Sequence, residues 1–139
     1  MAKKKFRILI VASDFYSNIT SKMIISAEEE LKKNKCSFDI LRVNGSLEIP
    51  TMIAIKLKKN KYDGAIALGC IIKGQTNHNE VIANTIATSL VNISVENLKP
   101  VGNAVLSCNN LTQALGRTKG SKNRPAEAVK AIISVLDNI

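Results

Sequence analysis

The chain has 139 residues, of which 45% are hydrophobic and 22% are charged, and its formal net charge is +9. This composition fits one domain with a single core, spanning residues 1–139, and excludes a disordered chain. No apolar stretch approaches membrane-spanning length and the MAKKKF start lacks the apolar segment of a secretory signal, so the sequence predicts a cytoplasmic protein with no membrane partner.

Strand-like and helix-like segments alternate along the chain. Apolar, β-rich runs predict four strands, at Phe6–Ser13, Ser37–Asn44, Tyr62–Cys70 and Pro100–Cys108. Apolar stripes and helix-start residues predict five helices, at Ile19–Leu31, Pro50–Asn60, Glu80–Leu98, Leu111–Arg117 and Pro125–Asn138. We expect Ser17 or Asn18 to cap the first helix and Asn109 or Asn110 to cap the fourth. The order βαβαβαβαα predicts a four-stranded parallel sheet with helices on both faces, a three-layer αβα sandwich.

The cysteines and lysines narrow the range of partners. Cys36, Cys70 and Cys108 are odd in number, widely separated and set in or beside apolar runs, so we predict reduced core thiols rather than disulfides or a metal site. The lysines are scattered and mostly fall at the ends of predicted helices, and only 4% of the residues are aromatic. We therefore expect a solvated basic surface and no nucleic acid partner.

The loop after the third strand carries the most unusual residues, and ligands of open parallel sheets bind beyond the carboxyl ends of the strands. Its sequence, GCIIKGQTNHNEV over Gly69–Val81, includes the single histidine, His78. Lys73–Thr76 precede a helix start, where unpaired N–H groups suit an anion. A neutral imidazole at a helix N-terminus can accept or relay a proton near pH 7. A surface or capping histidine is the open alternative for His78, and an ordinary helix-capping turn is the open alternative for Lys73–Thr76.

The other loops at this edge add weaker candidates. Phe15 and Tyr16 could present an aromatic face to a planar heterocycle, or could cover the core. Glu48 is expected in the first turn of the second helix and could bind sugar-like hydroxyls, although the helix dipole alone explains a carboxylate there. Arg117 could extend a guanidinium into an anion site, although most arginines at helix ends are solvated. The chain lacks the G-x-G-x-x-G, G-x-x-x-x-G-K-[ST] and G-x-S-x-G motifs, so dinucleotide, P-loop and serine-hydrolase chemistry are disfavoured.

A set of motifs, taken in order, resembles one family. The segments are V-A-S-D-F-Y-x-x-I-T, G-S-L-E-I-P, A-L-G-C-I-I-K-G-Q-T-x-H, P-V-x-x-A-V-L-x-C-x-N-x-x-Q-A-x-x-R and N-R-x-A-E-A. In order and spacing they are similar to the 6,7-dimethyl-8-ribityllumazine synthases over about the whole chain, and the third segment is the most specific. The resemblance implies a flavodoxin-like fold. It also implies condensation of 5-amino-6-ribitylamino-uracil with 3,4-dihydroxy-2-butanone 4-phosphate, with loss of phosphate and water and without metal or organic cofactor, as the penultimate step to riboflavin.

The resemblance implies roles for individual residues. The implied pyrimidine- and ribityl-binding residues are Phe15, Ser46, Leu47, Glu48, Cys70, Ile71, Ile72 and Asn103. The implied phosphate-binding residues are Lys73, Gln75, Thr76, Arg117 and Arg124. His78 would relay protons during imine formation and phosphate loss. Arg117 would come from a neighbouring subunit, because the family works as pentamers with active sites between subunits. The implied partners are therefore the two substrates, further copies of the chain and, as a candidate, riboflavin synthase.

Several positions depart from the commoner family pattern. Lys73 stands where arginine is usual, Gln75 where glutamate or alanine is common, and Asn79 where an aromatic residue often follows the histidine. Asn103 replaces an aromatic residue that the neighbour usually contributes, and Asp14–Tyr16 replaces Arg-aromatic-Asn. These changes motivate an alternative, a catalytically weakened ligand-binding or shell-forming paralogue. A basic nucleic-acid-binding module is a third hypothesis, motivated by net charge alone.

Overall fold

The computed structural model describes residues 6–74 and 78–139. Its strands are β1 (Arg7–Ser13), β2 (Ser37–Val43), β3 (Gly64–Ile72) and β4 (Val101–Cys108). Its α-helices are α1 (Ser17–Lys33), α2 (Ile49–Lys58), α3 (Asn79–Asn97), α4 (Leu111–Gly116) and α5 (Arg124–Leu136). Short 3-10 helices at Ser46–Glu48 and Gly120–Lys122 precede α2 and α5. The predicted order βαβαβαβαα is confirmed, and the element ends shift by one or two residues.

The sheet is parallel throughout, with the strand order β2-β1-β3-β4. The chain runs from β1 outward to β2 and then crosses back past β1 to β3, so the direction of progression reverses between β1 and β3. In open α/β sheets such a reversal leaves a crevice at the carboxyl ends of the two strands, where ligands bind. Every residue of the inner strand β3 is buried, because helices cover both faces of the sheet.

Two apolar cores flank the sheet. The helices α1, α4 and α5 pack on one face, and α2 and α3 pack on the other. Ile8 and Ile10 of β1 belong to the first core, whereas Leu9 and Val11 belong to the second. This alternation follows from the two-residue repeat of a strand. The expected three-layer αβα sandwich of the flavodoxin-like type is confirmed.

The start of α1 differs from expectation, and the predicted capping by Ser17 or Asn18 is wrong. The helix begins at Ser17 directly after Tyr16, which has a left-handed backbone (φ 61°) and makes no side-chain cap. The Tyr16 carbonyl instead accepts hydrogen bonds from the amides of Ile19 and Thr20. The other predicted cap is confirmed, because the Asn110 side chain accepts from the amide of Gln113 at 2.8 Å.

Two further predictions concern the interior and the membrane. The predicted burial of Cys36, Cys70 and Cys108 is confirmed, and all three are free thiols. Within residues 6–74 and 78–139, none of the helices is both long enough and apolar enough to cross a membrane. The lysines in the last turns of α1 and α2 lie where the helix dipole favours cations, as expected.

Candidate active site

A cavity of about 330 Å³ opens at the carboxyl ends of β1 and β3, where the sheet progression reverses. Its lining residues are Phe15, Tyr16, Gly45, Ser46, Leu47, Glu48, Cys70, Ile71, Ile72 and Ile82. All of the expected pyrimidine- and ribityl-binding residues except Asn103 are therefore brought together at one cavity. The volume is at the lower end of the ~300–1,000 Å³ typical of small-molecule sites.

The first loop presents an aromatic ring at the mouth of this cavity. The amides of Asp14 and Phe15 donate to the carbonyls of Val43 and Asn44, at 2.7 and 3.0 Å, which ties the loop to β2. The Asp14 carboxylate also accepts from Arg42 at 3.2 Å. The Phe15 side chain remains 60% exposed. A planar ligand in the cavity can therefore reach the Phe15 ring without moving the loop backbone.

Tyr16 supports Phe15 from the core side. The two ring centroids are 4.7 Å apart with planes at 71°, the edge-to-face arrangement that aromatic pairs favour. The Tyr16 hydroxyl oxygen is buried and has no hydrogen-bond partner among the described residues. Burial, with a smaller effect of the nearby Cys70 thiol, raises the pKa of Tyr16 above its ordinary value. Tyr16 is therefore a neutral phenol at physiological pH.

The turn after β2 lies close against β3 at Gly69. A Cβ atom on Gly69 would lie 2.5 Å from Ser46 Oγ, well inside van der Waals contact. A Cβ atom on Gly45 would lie 3.1 Å from Glu48 Oε2, so the Glu48 carboxylate folds back over the Gly45 backbone. Glu48 ends the 3-10 helix and directly precedes α2, rather than lying in the first turn of α2 as expected. The two glycines thus set the position of the turn.

The end of β3 forms the apolar wall of the cavity. Cys70, Ile71 and Ile72 are all buried. Burial, with a minor contribution from Cys108, raises the pKa of the Cys70 thiol to about 12. A thiol with this pKa is protonated at physiological pH and is a poor nucleophile. Cys70 therefore acts as an apolar wall residue of the cavity.

The expected phosphate loop begins directly after this wall. The Lys73 amide donates to the Cys108 carbonyl at 2.8 Å, and the Lys73 side chain is exposed. Gly74 then adopts a left-handed backbone (φ 97°), a conformation that favours glycine. Gln75 and Thr76, both predicted to bind phosphate, lie outside the described residues. Lys73 and Gly74 are both exposed, so the chain reaches the surface directly after β3.

His78 lies at the N-terminus of α3. Its backbone carbonyl accepts from the amide of Ile82 at 2.9 Å, as the residue before a helix should, and its side chain is exposed. Ile82 lines the cavity one turn further along the helix. His78 therefore lies four residues before a cavity-lining residue in the sequence, although it does not itself line the cavity.

The two arginines predicted to bind phosphate lie together at the end of β4. Arg117 is half-buried, and its Nη1 atom donates to the Ser107 carbonyl at 3.4 Å and lies 3.6 Å from Cys108 Sγ. The Arg124 amide donates to the Arg117 carbonyl at 2.9 Å. Burial raises the pKa of the Cys108 thiol, and both guanidinium groups oppose that rise. Arg117 is thus held against β4 rather than fully solvated, and neither arginine lines the cavity of its own chain.

Asn103 also lies away from the cavity. It is exposed on β4, and its Oδ1 atom accepts from the amide of Val105 at 2.9 Å, two residues along the same strand. β4 is an edge strand of the sheet, with β3 as its neighbour. Asn103 therefore does not line the cavity of its own chain, where the predicted contact with the pyrimidine would be made.

Besides Tyr16, three residues of the site were not among the expected binding residues. Gly45 and Ile82 line the cavity, and Asn79 is buried beside His78 with its Nδ2 atom donating to Ser107 Oγ at 3.2 Å. Ile82 belongs to the same helical stripe as Ile86 and Leu90, so its orientation toward the sheet is visible in the sequence. The places of Gly45 and Asn79 in the site depend on contacts between segments that are distant in sequence, which the sequence does not show.

A doubly wound sheet with an apolar cavity at its reversal point is typical of flavodoxin-like α/β proteins that bind small molecules. The profile of the 6,7-dimethyl-8-ribityllumazine synthases matches residues 5–139. The chain belongs to this family.

Individual relatives agree with the family profile. A 6,7-dimethyl-8-ribityllumazine synthase from Bartonella henselae is 37% identical over 136 residues, which cover 96% of this chain and 88% of the relative. The 6,7-dimethyl-8-ribityllumazine synthase 1 of Rhodopseudomonas palustris is 37% identical over 94% of this chain and 83% of its own. The 6,7-dimethyl-8-ribityllumazine synthase of Beijerinckia indica is 39% identical over 132 residues, which cover 93% of this chain and 73% of the relative. These relatives are matched over most of their length.

Proposed function

We propose that this chain condenses 5-amino-6-ribitylamino-uracil with 3,4-dihydroxy-2-butanone 4-phosphate to give 6,7-dimethyl-8-ribityllumazine, phosphate and water, the penultimate step of riboflavin biosynthesis. The observation that carries the proposal is the convergence of Phe15, the Ser46–Glu48 turn and Cys70–Ile72 on one cavity in a chain of this family. The cavity combines an apolar wall with a carboxylate and an exposed aromatic ring, which suits a heterocycle that carries a polyol chain.

In this proposal each part of the cavity has one task. The exposed ring of Phe15 stacks on the pyrimidine, and the wall formed by Cys70–Ile72 contacts its edge. Glu48 and Ser46 bind hydroxyl groups of the ribityl chain, since an ionised carboxylate is a strong acceptor for hydroxyl donors. Holding both reactants in a fixed orientation supplies much of the acceleration, because the reacting groups are an amine and a ketone.

His78 is assigned the proton transfers. Attack of the amine on the ketone gives a carbinolamine, whose nitrogen loses a proton while its hydroxyl gains one and leaves as water. A histidine can take the first proton and give the second, which suits the exposed position of His78 at the start of α3. Loss of a proton from the carbon between the imine and the phosphate-bearing carbon then breaks the C–O bond to phosphate and leaves an enol, which becomes a ketone. The ribitylamino nitrogen closes the ring on this ketone with loss of a second water. The departing phosphate develops negative charge, and fixed guanidinium groups stabilise such charge.

The phosphate-binding arginines are proposed to act between subunits. Arg117, Arg124 and Asn103 all lie outside the cavity of their own chain, which supports their contribution to a neighbour's cavity. Exposed apolar side chains on α3 support a contact between copies, since Val81, Val91 and Val95 are 62–67% exposed. We propose a homo-oligomer built on pentamers. A sedimentation mass of five chains, or a multiple of five, is expected, and a monomer would contradict the proposal.

Three smaller proposals complete this assignment. Residues 1–139 form one domain, which the two cores built on a shared sheet support. The location is cytoplasmic, which the three free buried thiols support. Riboflavin synthase remains a predicted partner. Within the described ranges no cluster of three or more His, Cys, Asp or Glu side chains is suited to a metal ion.

The test compares binding with turnover. The purified protein is titrated with the ribitylamino-uracil alone and then supplied with both substrates, while lumazine is followed by absorbance. We expect both binding and product. Binding without product would instead support the catalytically weakened paralogue. Phe15→Ala should raise the KM for the uracil substrate, whereas Ile25→Ala, which removes an exposed apolar side chain of α1 outside the cavity, should not.

A further inference from the structure

We propose that Asn79 and Ser107 form a positioning pair that fixes the start of α3, and with it His78, against the end of β4. The Asn79 Nδ2 atom donates to Ser107 Oγ at 3.2 Å, and Asn79 is only 8% exposed. Asn79 is the first residue of α3 and directly follows His78. The inference rests on the proposed function, because it concerns a histidine that transfers protons in the condensation.

The burial of Asn79 is unusual for its place in the helix. The other buried residues of α3 are Ile86 and Leu90, seven and eleven positions further on, which form one helical stripe with Asn79. An apolar residue would continue this stripe. Burying a carboxamide costs free energy unless its polar atoms find hydrogen-bond partners. The hydrogen bond to Ser107 offsets part of this cost and gives the helix start a specific contact on the sheet.

Ser107 is suited to anchor the helix because it lies at the edge of the site. Its register partner on β3 is Ile71, which lines the cavity. Its backbone carbonyl accepts from Arg117 Nη1, while its hydroxyl accepts from Asn79. One residue of β4 therefore contacts both the helix that directly follows His78 and the guanidinium assigned to phosphate. Removing the hydroxyl breaks the first contact and leaves the carbonyl contact to Arg117 in place.

The position of His78 follows from this anchor. The peptide bond between His78 and Asn79 joins the histidine directly to the anchored residue, and the His78 carbonyl accepts from Ile82 at 2.9 Å. The backbone of His78 is therefore held by the first turn of α3. Displacing a reacting group by ~1 Å can lower a rate by up to about 10²-fold, so a small shift of this turn is sufficient to impair catalysis.

The test measures Asn79→Ala, Ser107→Ala and the double variant in the condensation assay. Each single change should lower kcat roughly five- to tenfold and leave both KM values within about twofold. The double variant should lose no more than either single variant, because both remove the same contact. Ser107→Thr keeps the hydroxyl and should therefore have a kcat close to that of the wild type. Thr85→Ala removes a hydroxyl on α3 that bonds only within the helix, to Val81 at 2.8 Å, and should leave kcat unchanged.

The same substitutions in a His78→Ala protein distinguish positioning of His78 from a general loss of stability. In a His78→Ala protein, Asn79→Ala should cause no additional loss of kcat, because the pair acts through the histidine. Two results would overturn the inference while the proposed function stands. One is an additive loss of kcat in the Asn79→Ala/Ser107→Ala protein, and the other is an equal loss of kcat from Asn79→Ala with and without His78. If the wild-type protein forms no lumazine, both fail. Should Asn79→Ala not fold, the comparison of Ser107→Ala with Ser107→Thr, in both backgrounds, gives the same decision.

Discussion

Replacing Gly69 by alanine adds one carbon at the contact between β3 and the turn after β2. The new Cβ would lie 2.5 Å from Ser46 Oγ and 3.3 Å from both Ser46 Cβ and Ile49 Cδ1. Rotation of the Ser46 hydroxyl would leave the two 3.3 Å contacts in place, so the turn must also shift by a few tenths of an ångström. Overpacking of this kind typically costs about 1–3 kcal/mol. For a chain of this size, that corresponds to a fall in Tm of roughly 3–12 °C.

The same displacement should appear in substrate binding, because Ser46–Glu48 line the cavity. We expect the KM for the ribitylamino-uracil to rise about tenfold, equivalent to ~1.4 kcal/mol, with a smaller change for the butanone phosphate. The measurement is steady-state kinetics with each substrate varied in turn. Thermal unfolding is followed at one protein concentration, since assembly makes Tm depend on concentration.

Two further variants make this prediction specific. Gly116→Ala is the control, because a Cβ there would meet nothing within 4 Å, and its Tm should be unchanged or slightly higher. Ser46→Ala in the Gly69→Ala protein removes the closest atom and should recover most of the lost Tm. Wild-type Tm and KM values in Gly69→Ala, or no recovery in the double variant, would refute the reasoning.

Three other predictions concern the remaining parts of the site. His78→Ala should lower kcat by about 10²-fold or less, the usual contribution of one acid–base group, and an unchanged rate would exclude His78 from proton transfer. Arg117→Ala should raise the KM for the butanone phosphate while Lys130→Ala, which removes an exposed charge on α5, should not; equal KM values would contradict the phosphate role. Burial raises the pKa of Cys70 from 9.0 to about 12, so the folded state holds this proton more tightly than the unfolded state. Its contribution to stability is complete below about pH 9 and is lost as the pH rises toward 12. Urea unfolding from pH 8 to 11 should therefore show a shallower alkaline loss in Cys70→Ala than in wild type, and equal slopes would contradict this cause.

The layout of the fold was predictable because each strand and helix carries a clear local pattern. The β3 segment is a continuous apolar run and is buried along its whole length, as expected for an inner parallel strand. The start of α1 was not predictable in the same way. Tyr16 precedes the helix in a left-handed conformation, next to Asp14 and Phe15, whose amides bond the Val43 and Asn44 carbonyls. These contacts join segments far apart in sequence.

The binding residues were predictable in identity but not in arrangement. The motifs around Phe15, Glu48 and Cys70 point to one family, yet only the strand order shows that their loops meet at one cavity. The close approach of Gly69 to Ser46, and the bond between Asn79 and Ser107, depend on packing between separate elements. A sequence pattern carries no direct signal of such contacts, so Asn79 appeared only as a departure from the family.

The condensation itself is the activity on which the other assignments depend. The most direct measurement incubates the purified chain with both substrates and quantifies lumazine and inorganic phosphate in the same samples, alongside a protein-free reaction. We predict one phosphate released for each lumazine formed, at a rate proportional to enzyme concentration and well above the spontaneous rate. A rate equal to the protein-free control at high enzyme concentration would contradict the proposed function.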